Sequence, residues 1–311
     1  MRKKIVLPLA CVVLLCPLPL RGEEPFYVGV TTHAYYSWVA NVAQGTPVVI
    51  VPLVPPNADL HHFEPKVEDL RKLERLQALV ANGLGHDPFV DRLLAAAGKT
   101  GIPRIDLHRG VPLIPYARGV SHHHGNEPRK PEPSGKTAYN PHTFISLTTA
   151  IQQIYNIEQW LSSLLPGYRE VFHRNTRAYT KRLRRLKANA AKRLAETKPR
   201  RVATVHDGYA YLLQEFGIPI VTVIQPRHGI EPSARELAET IETIKENGVE
   251  VIFSERDFPK PYVDLIRKET GCRIYALSHI GRGPYRPETF EEEIARNLET
   301  IVRAMAGEAA P

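Results

Sequence analysis

The chain has 311 residues, 43% hydrophobic and 24% charged, with 27 prolines and 13 histidines. This composition excludes a disordered chain, a collagen and a coiled coil, and the length allows two domains of roughly 150 residues each. The formal charge is +8, but Arg2, Lys3, Lys4 and Arg21 all fall before residue 23, so no nucleic-acid partner is expected.

Residues 1–22 come first. A basic start leads into a 16-residue apolar stretch, 5–20, interrupted by Pro8, Pro17 and Pro19. It is shorter than the roughly 20 residues of a membrane span, and prolines oppose a continuous helix. The segment reads as a secretory signal peptide cleaved after Gly22, which places the mature protein in the periplasm. Cys11 lies early in the apolar run and Cys16 follows Leu15, so lipid anchoring is the less favoured alternative. The mature chain keeps only Cys272. No disulfide is available, and any metal must be held by histidine and carboxylate.

Short β-branched runs at 26–32, 47–54, 77–81 and 104–107 alternate with helical stretches near 36–43, 67–76 and 88–97. A second set at 201–205, 219–224, 249–253 and 273–277 is separated by stretches such as 209–216 and 234–247. Such alternation predicts an α/β fold of two parallel-sheet lobes, 23–165 and 199–311. Between them, 166–198 has no glycine after Gly167 and spaces Val171, Tyr179, Leu183, Leu186 and Leu194 among Arg, Lys and Ala. One helix of about 30 residues is expected there, either a long surface helix or a stiff linker between lobes. Residues 117–141 carry proline, glycine, charge and the run His122, His123, His124, and read as a loop.

His33, His86, His108, His206, His228 and His279 each follow a predicted strand. Open parallel sheets bind ligands outside the carboxyl ends of their strands, and neutral imidazole is the commonest metal ligand. A metal site in that crevice is expected, although a single histidine after a strand more often serves as a capping or hydrogen-bonding group.

The run VPPNADLHHFEP at 54–65, Asp69-Leu70 and ANGLG at 81–85 resemble the solute-binding proteins of zinc and manganese ABC importers. In that family a ligand histidine stands two residues before an aromatic followed by Glu-Pro, which selects His61 over His62. Asn140-Pro141-His142 resembles a second ligand motif, normally Asp-Pro-His followed by Trp, with Asn140 and Phe144 as departures. TVHDGYAY at 204–211 resembles the third and marks His206. Glu231-Pro232-Ser233 and ARNL at 295–298 also fit, and the similarity runs from about residue 26 to 306.

The resemblance implies two lobes joined by a rigid helix with one metal in the cleft between them. Its usual fourth ligand is an Asp after the last strand, where this chain has Leu277-Ser278-His279. His279 is the expected substitute, with water as the alternative and Asp207, Glu255 and His33 as lesser candidates. The expected metal ligands are therefore His61, His142, His206 and His279, and a nitrogen-rich set favours Zn2+ over Mn2+ or Fe2+. Affinity should fall below about pH 6.5, because imidazole must shed its proton to bind. The implied role is metal capture by a monomer that delivers to an ABC permease and its ATPase, with the His122–His124 run as an auxiliary zinc collector or a plain loop. Alternatives are a zinc hydrolase with a three-His site and Glu255 as base, a surface adhesin, and a binder of chelates or small organic solutes. No His-Glu-x-x-His helix or nucleophile elbow supports an enzyme.

Overall fold

The computed structural model describes residues 24–58, 60, 63–115, 139–224, 233–256 and 258–309. The expected leader 1–22, His61, His228 and the His122–His124 run lie outside these residues. The first four apolar runs form parallel strands β1 (Phe26–Val30), β2 (Val48–Pro52), β3 (Ala78–Ala81) and β4 (Arg104–Asp106), in the order β2-β1-β3-β4. β3 is buried along its whole length, as expected for a central strand with both faces covered. The crossover helices are α1 (His33–Val42), α2 (Val67–Leu73) and α3 (Phe89–Ala96).

Helices α4 (Leu147–Leu164) and α5 (Arg169–Leu194) follow. The long helix is shorter than the 166–198 expected. Pro166, which lacks an N–H, opens a 3-10 turn at Pro166–Tyr168 before α5 begins. At the other end the Thr197 hydroxyl donates to the Leu194 carbonyl at 2.7 Å. The expected 117–141 loop also ends early, since Tyr139 bridges to Pro115 and both Asn140 and Pro141 are buried.

The second sheet repeats the first. β5 (Val202–Thr204), β6 (Ile220–Val223), β7 (Val251–Glu255) and β8 (Arg273–Leu277) run parallel in the order β6-β5-β7-β8. Its helices are α6 (Ala210–Glu215), α7 (Ala234–Glu246), α8 (Lys260–Thr270) and α9 (Thr289–Ala306). Among the described residues no helix is long and apolar enough to cross a membrane.

The two sheets are joined through their helices. α5 buries Phe172, Thr176, Tyr179, Leu183 and Ala190 on one face, and α4, α1 and α9 pack around it. Phe290 of α9 meets Trp38 of α1 edge-on with ring centroids 5.1 Å apart. One continuous core therefore runs from Val28 and Trp38 through Ile154 and Leu183 to Leu212 and Phe253. Smaller apolar clusters sit under the outer parts of each lobe.

Candidate metal centre

Strand order reverses between β1 and β3 in one sheet and between β5 and β7 in the other, and ligands of such sheets bind at that reversal, outside the carboxyl ends of the strands. In the first lobe the buried Asp87 carboxylate accepts from the Thr31 hydroxyl and the Asn82 backbone N–H, both at 2.8 Å, and its burial pushes its pKa up. The Asn82 side-chain amide in turn donates to the Pro141 carbonyl at 2.8 Å. His142 is thereby held at the reversal point. In the second lobe His206 follows β5, Glu255 closes β7 and His279 stands two residues past β8.

One ring nitrogen from each of His142, His206 and His279 falls within a common span of 4.8 Å. His142 and His206 are fully buried, and His279 is partly exposed to the cleft. His206 Nδ1 and His279 Nε2 are 3.3 Å apart. Glu255 Oε1 lies 3.4 Å from the first and 3.1 Å from the second. Ligand atoms at zinc distances of 2.0–2.1 Å are about 3.3 Å apart in a tetrahedron, so these three atoms are already spaced for one ion. The structure thus brings together three of the four histidines expected as ligands, and places Glu255, one of the lesser candidates, beside them.

A chain of polar contacts sets the orientation of the imidazoles across the two lobes. His142 Nδ1–H donates to Asn140 Oδ1 at 2.8 Å, which turns Nε2 toward the cleft. The Asn140 amide donates to the Asp207 carbonyl at 2.9 Å and lies 3.3 Å from Asp207 Oδ2. Asp207 Oδ1 is 3.3 Å from His206 Nε2. The Gly208 backbone N–H donates to His206 Nδ1 at 3.2 Å, and that nitrogen also faces His279 Nε2 and Glu255 Oε1. Asn140 is also fixed through its carbonyl, which accepts from the Tyr211 hydroxyl at 2.8 Å.

Two backbone features make room for this packing. A Cβ on Gly208 would lie 2.5 Å from His279 Cε1 and 2.8 Å from His206 Nδ1, so only glycine fits there. Ile280, at φ +56° and 1% exposed, turns the chain sharply after His279. A β-branched residue rarely adopts that conformation, which costs on the order of 1–2 kcal/mol.

The remaining sequence candidates take other roles. His33 Nε2–H donates to the Gly283 carbonyl at 2.7 Å, and its ring stacks on Tyr285 at 3.9 Å. Burial holds the His33 imidazole below its ordinary pKa. His86 packs edge-on against His142 and Phe144, and His108 Nδ1 lies 3.1 Å from the Asn82 carbonyl. A cavity of about 190 Å³ opens from His279 toward solvent, lined by Thr32, His86, Phe144, Glu255, His279 and Tyr285. Sequence reasoning treated Asn140 only as a departure from a motif and passed over Gly208 and Tyr211. The glycine directly after His206-Asp207 was the readable sign of close approach.

Two parallel α/β lobes on a helical spine, with donors converging at their interface, define a solute-binding protein with a rigid interlobe linker. The family model described as ZnuA, zinc-uptake complex component A periplasmic, matches residues 28–304, and the chain belongs to this family of metal-binding solute-binding proteins. It is similar to a metal-binding protein of Treponema pallidum (strain Nichols), 27% identical over 318 residues that cover 100% of this chain and 99% of that one. It is 26% identical over 309 residues to the zinc-binding lipoprotein AdcA of Streptococcus pneumoniae, covering 97% of this chain but spanning only 59% of AdcA. Among solved structures, the solute-binding protein FpvC of Pseudomonas aeruginosa in complex with Mn2+ is 41% identical at a TM-score of 0.81, covering 91% of this chain and 99% of FpvC.

Proposed function

We propose that the protein captures one divalent transition-metal ion, zinc foremost, between its lobes and delivers it to an ABC permease driven by its ATPase. His142, His206 and His279 supply imidazole nitrogens, with His61 as the further ligand and Glu255 Oε1 available beside His206 and His279. The observation that supports this most is the convergence of three imidazoles from distant parts of the chain within 4.8 Å. AdcA is named as zinc-binding, YfeA of Yersinia pestis as iron-binding, and FpvC is found with Mn2+ and with Ni2+. Their fold therefore serves several metals, and the donor set has to choose between them. Imidazole suits zinc and nickel, whereas manganese prefers oxygen. The reading further assigns residues 1–22 as a cleaved leader, the periplasm as the working compartment and the monomer as the working state.

The test is metal titration of the wild type and of His61→Ala, His142→Ala, His206→Ala and His279→Ala. Each loss should weaken zinc binding by more than about a hundredfold, and the wild type should prefer zinc to manganese. Wild-type affinity in His142→Ala and His206→Ala would overturn the site. A preference for manganese would overturn the choice of metal.

A further inference from the structure

The strongest concentration of charge lies away from the metal centre, on the spine. α5 carries ten Lys and Arg residues against the single acid Glu170. Outside α5 and the first 22 residues the chain has 27 Lys and Arg against 32 Asp and Glu, so the excess positive charge of the mature protein resides in this one helix. Acids neighbouring α5 are engaged by particular partners: Glu291 by Arg182, Glu215 by Lys187 and Glu299 by Arg193.

Of the seven others, Arg169 stands at the first residue of the helix and Arg184 donates to Thr180 and Tyr155, which leaves Arg174, Arg177, Lys181, Arg185 and Lys192, all five exposed. At 100° per residue they fall within about 60° of one direction, opposite the buried Phe172, Tyr179, Leu183 and Ala190, and they extend over about 27 Å. Beside them α4 exposes Thr148, Gln152, Gln159 and Ser163, so that flank is polar but uncharged. The geometry points to this stripe as a docking surface for an anionic phospholipid bilayer, against which the protein would lie with its spine toward the membrane.

The chemistry of the stripe selects that partner. Protein interfaces combine arginine with aromatic and apolar anchors at a desolvated centre, and the five positions include no aromatic or large apolar side chain. Single-stranded nucleic acid is held by stacking on aromatic residues in a groove, whereas these charges stand on the convex side of a helix. Point charges along one ridge of a helix match a plane of anionic headgroups, and basic segments adsorb to such planes without inserting. The inference rests on no assumption about the metal ligands.

Sedimentation of the protein with vesicles tests it. Vesicles containing roughly one-third phosphatidylglycerol should bind the protein, pure phosphatidylcholine should not, and about 0.5 M salt should release it. Changing Arg174, Arg177, Lys181, Arg185 and Lys192 to Gln should lower the bound-to-free ratio at least about tenfold, leaving metal affinity and helical circular dichroism unchanged. The control changes five exposed charges elsewhere, Arg71, Arg75, Arg92, Lys245 and Lys268, to Gln. It removes the same net charge and should retain most of the binding. Equal losses in the two variants, no binding to phosphatidylglycerol, or binding to duplex DNA without binding to vesicles would each overturn the inference.

Discussion

Asn140 has to accept at one end and donate at the other, because it stands between His142 and Asp207. Its Oδ1 takes the His142 Nδ1–H, while its amide faces Asp207 Oδ2 at 3.3 Å. A carboxylate at 140 would still accept from His142, but it would confront the Asp207 carboxylate within a buried site, where like charges are costly. Asn140→Asp should therefore weaken zinc binding by about 10- to 100-fold, the usual effect of disturbing the groups that orient metal ligands. Adding Asp207→Asn reverses the order of amide and carboxylate and should restore most of the loss. Titrations in which the single variant binds as tightly as wild type would show that this network does not orient His142. The imidazoles were legible in the sequence, since short motifs and positions after strands mark His142, His206 and His279. Their orienting partners were not, because Asn140 and Asp207 are 67 residues apart and meet only once the lobes pack.

At the scale of elements, α4 is the piece that locks the lobes together, and a residue of the other lobe caps it. The buried Glu215 carboxylate at the end of α6 accepts from the Ser146 hydroxyl at 2.8 Å and from the Leu147 and Thr148 backbone N–H groups at 2.9 Å, and pairs with Lys187 of α5 at 2.9 Å. One side chain thus satisfies the open end of α4 and ties α4, α5 and α6 together. Glu215→Ala should lower the unfolding free energy by about 2–4 kcal/mol, read by chemical denaturation of the metal-free protein, and a change under about 0.5 kcal/mol would remove the tie from the account. α4 is also one of the helices, with α9, that sequence reading did not name. Thr149, Gln153, Glu158 and Ser162 are buried along it, so polar residues dilute the apolar stripe that ordinarily announces a helix. The strands were legible because parallel strands are nearly continuous apolar runs. α9 shows the opposite case, since its clear stripe of Ile294, Leu298, Ile301 and Met305 carried the helical period and only part of that segment, 295–298, was used, as a motif.

At the scale of the whole molecule, the segment after β8 spans the cleft. Past His279 it lies on the first lobe, where the Gly283 N–H donates to the Pro56 carbonyl and the Tyr285 hydroxyl to the Val54 carbonyl, both at 2.9 Å. His33 completes the attachment by stacking on Tyr285 and donating to the Gly283 carbonyl. The polypeptide that carries one proposed ligand is therefore also the strap between lobes, and loosening it withdraws His279. Because burial depresses the folded-state pKa of His33, the unfolded chain takes up the proton first as pH falls below about 6.5. The stabilisation from neutral His33 is present above that value and is lost as pH falls through the interval down to the depressed folded pKa. His33→Gln keeps a donor for the Gly283 carbonyl but does not titrate. In metal-free protein, the melting temperature of the wild type should drop further between pH 7.5 and 5.5 than that of His33→Gln, all other titrating groups being common to both. Parallel pH profiles for the two proteins would mean that the strap does not sense acid through this residue.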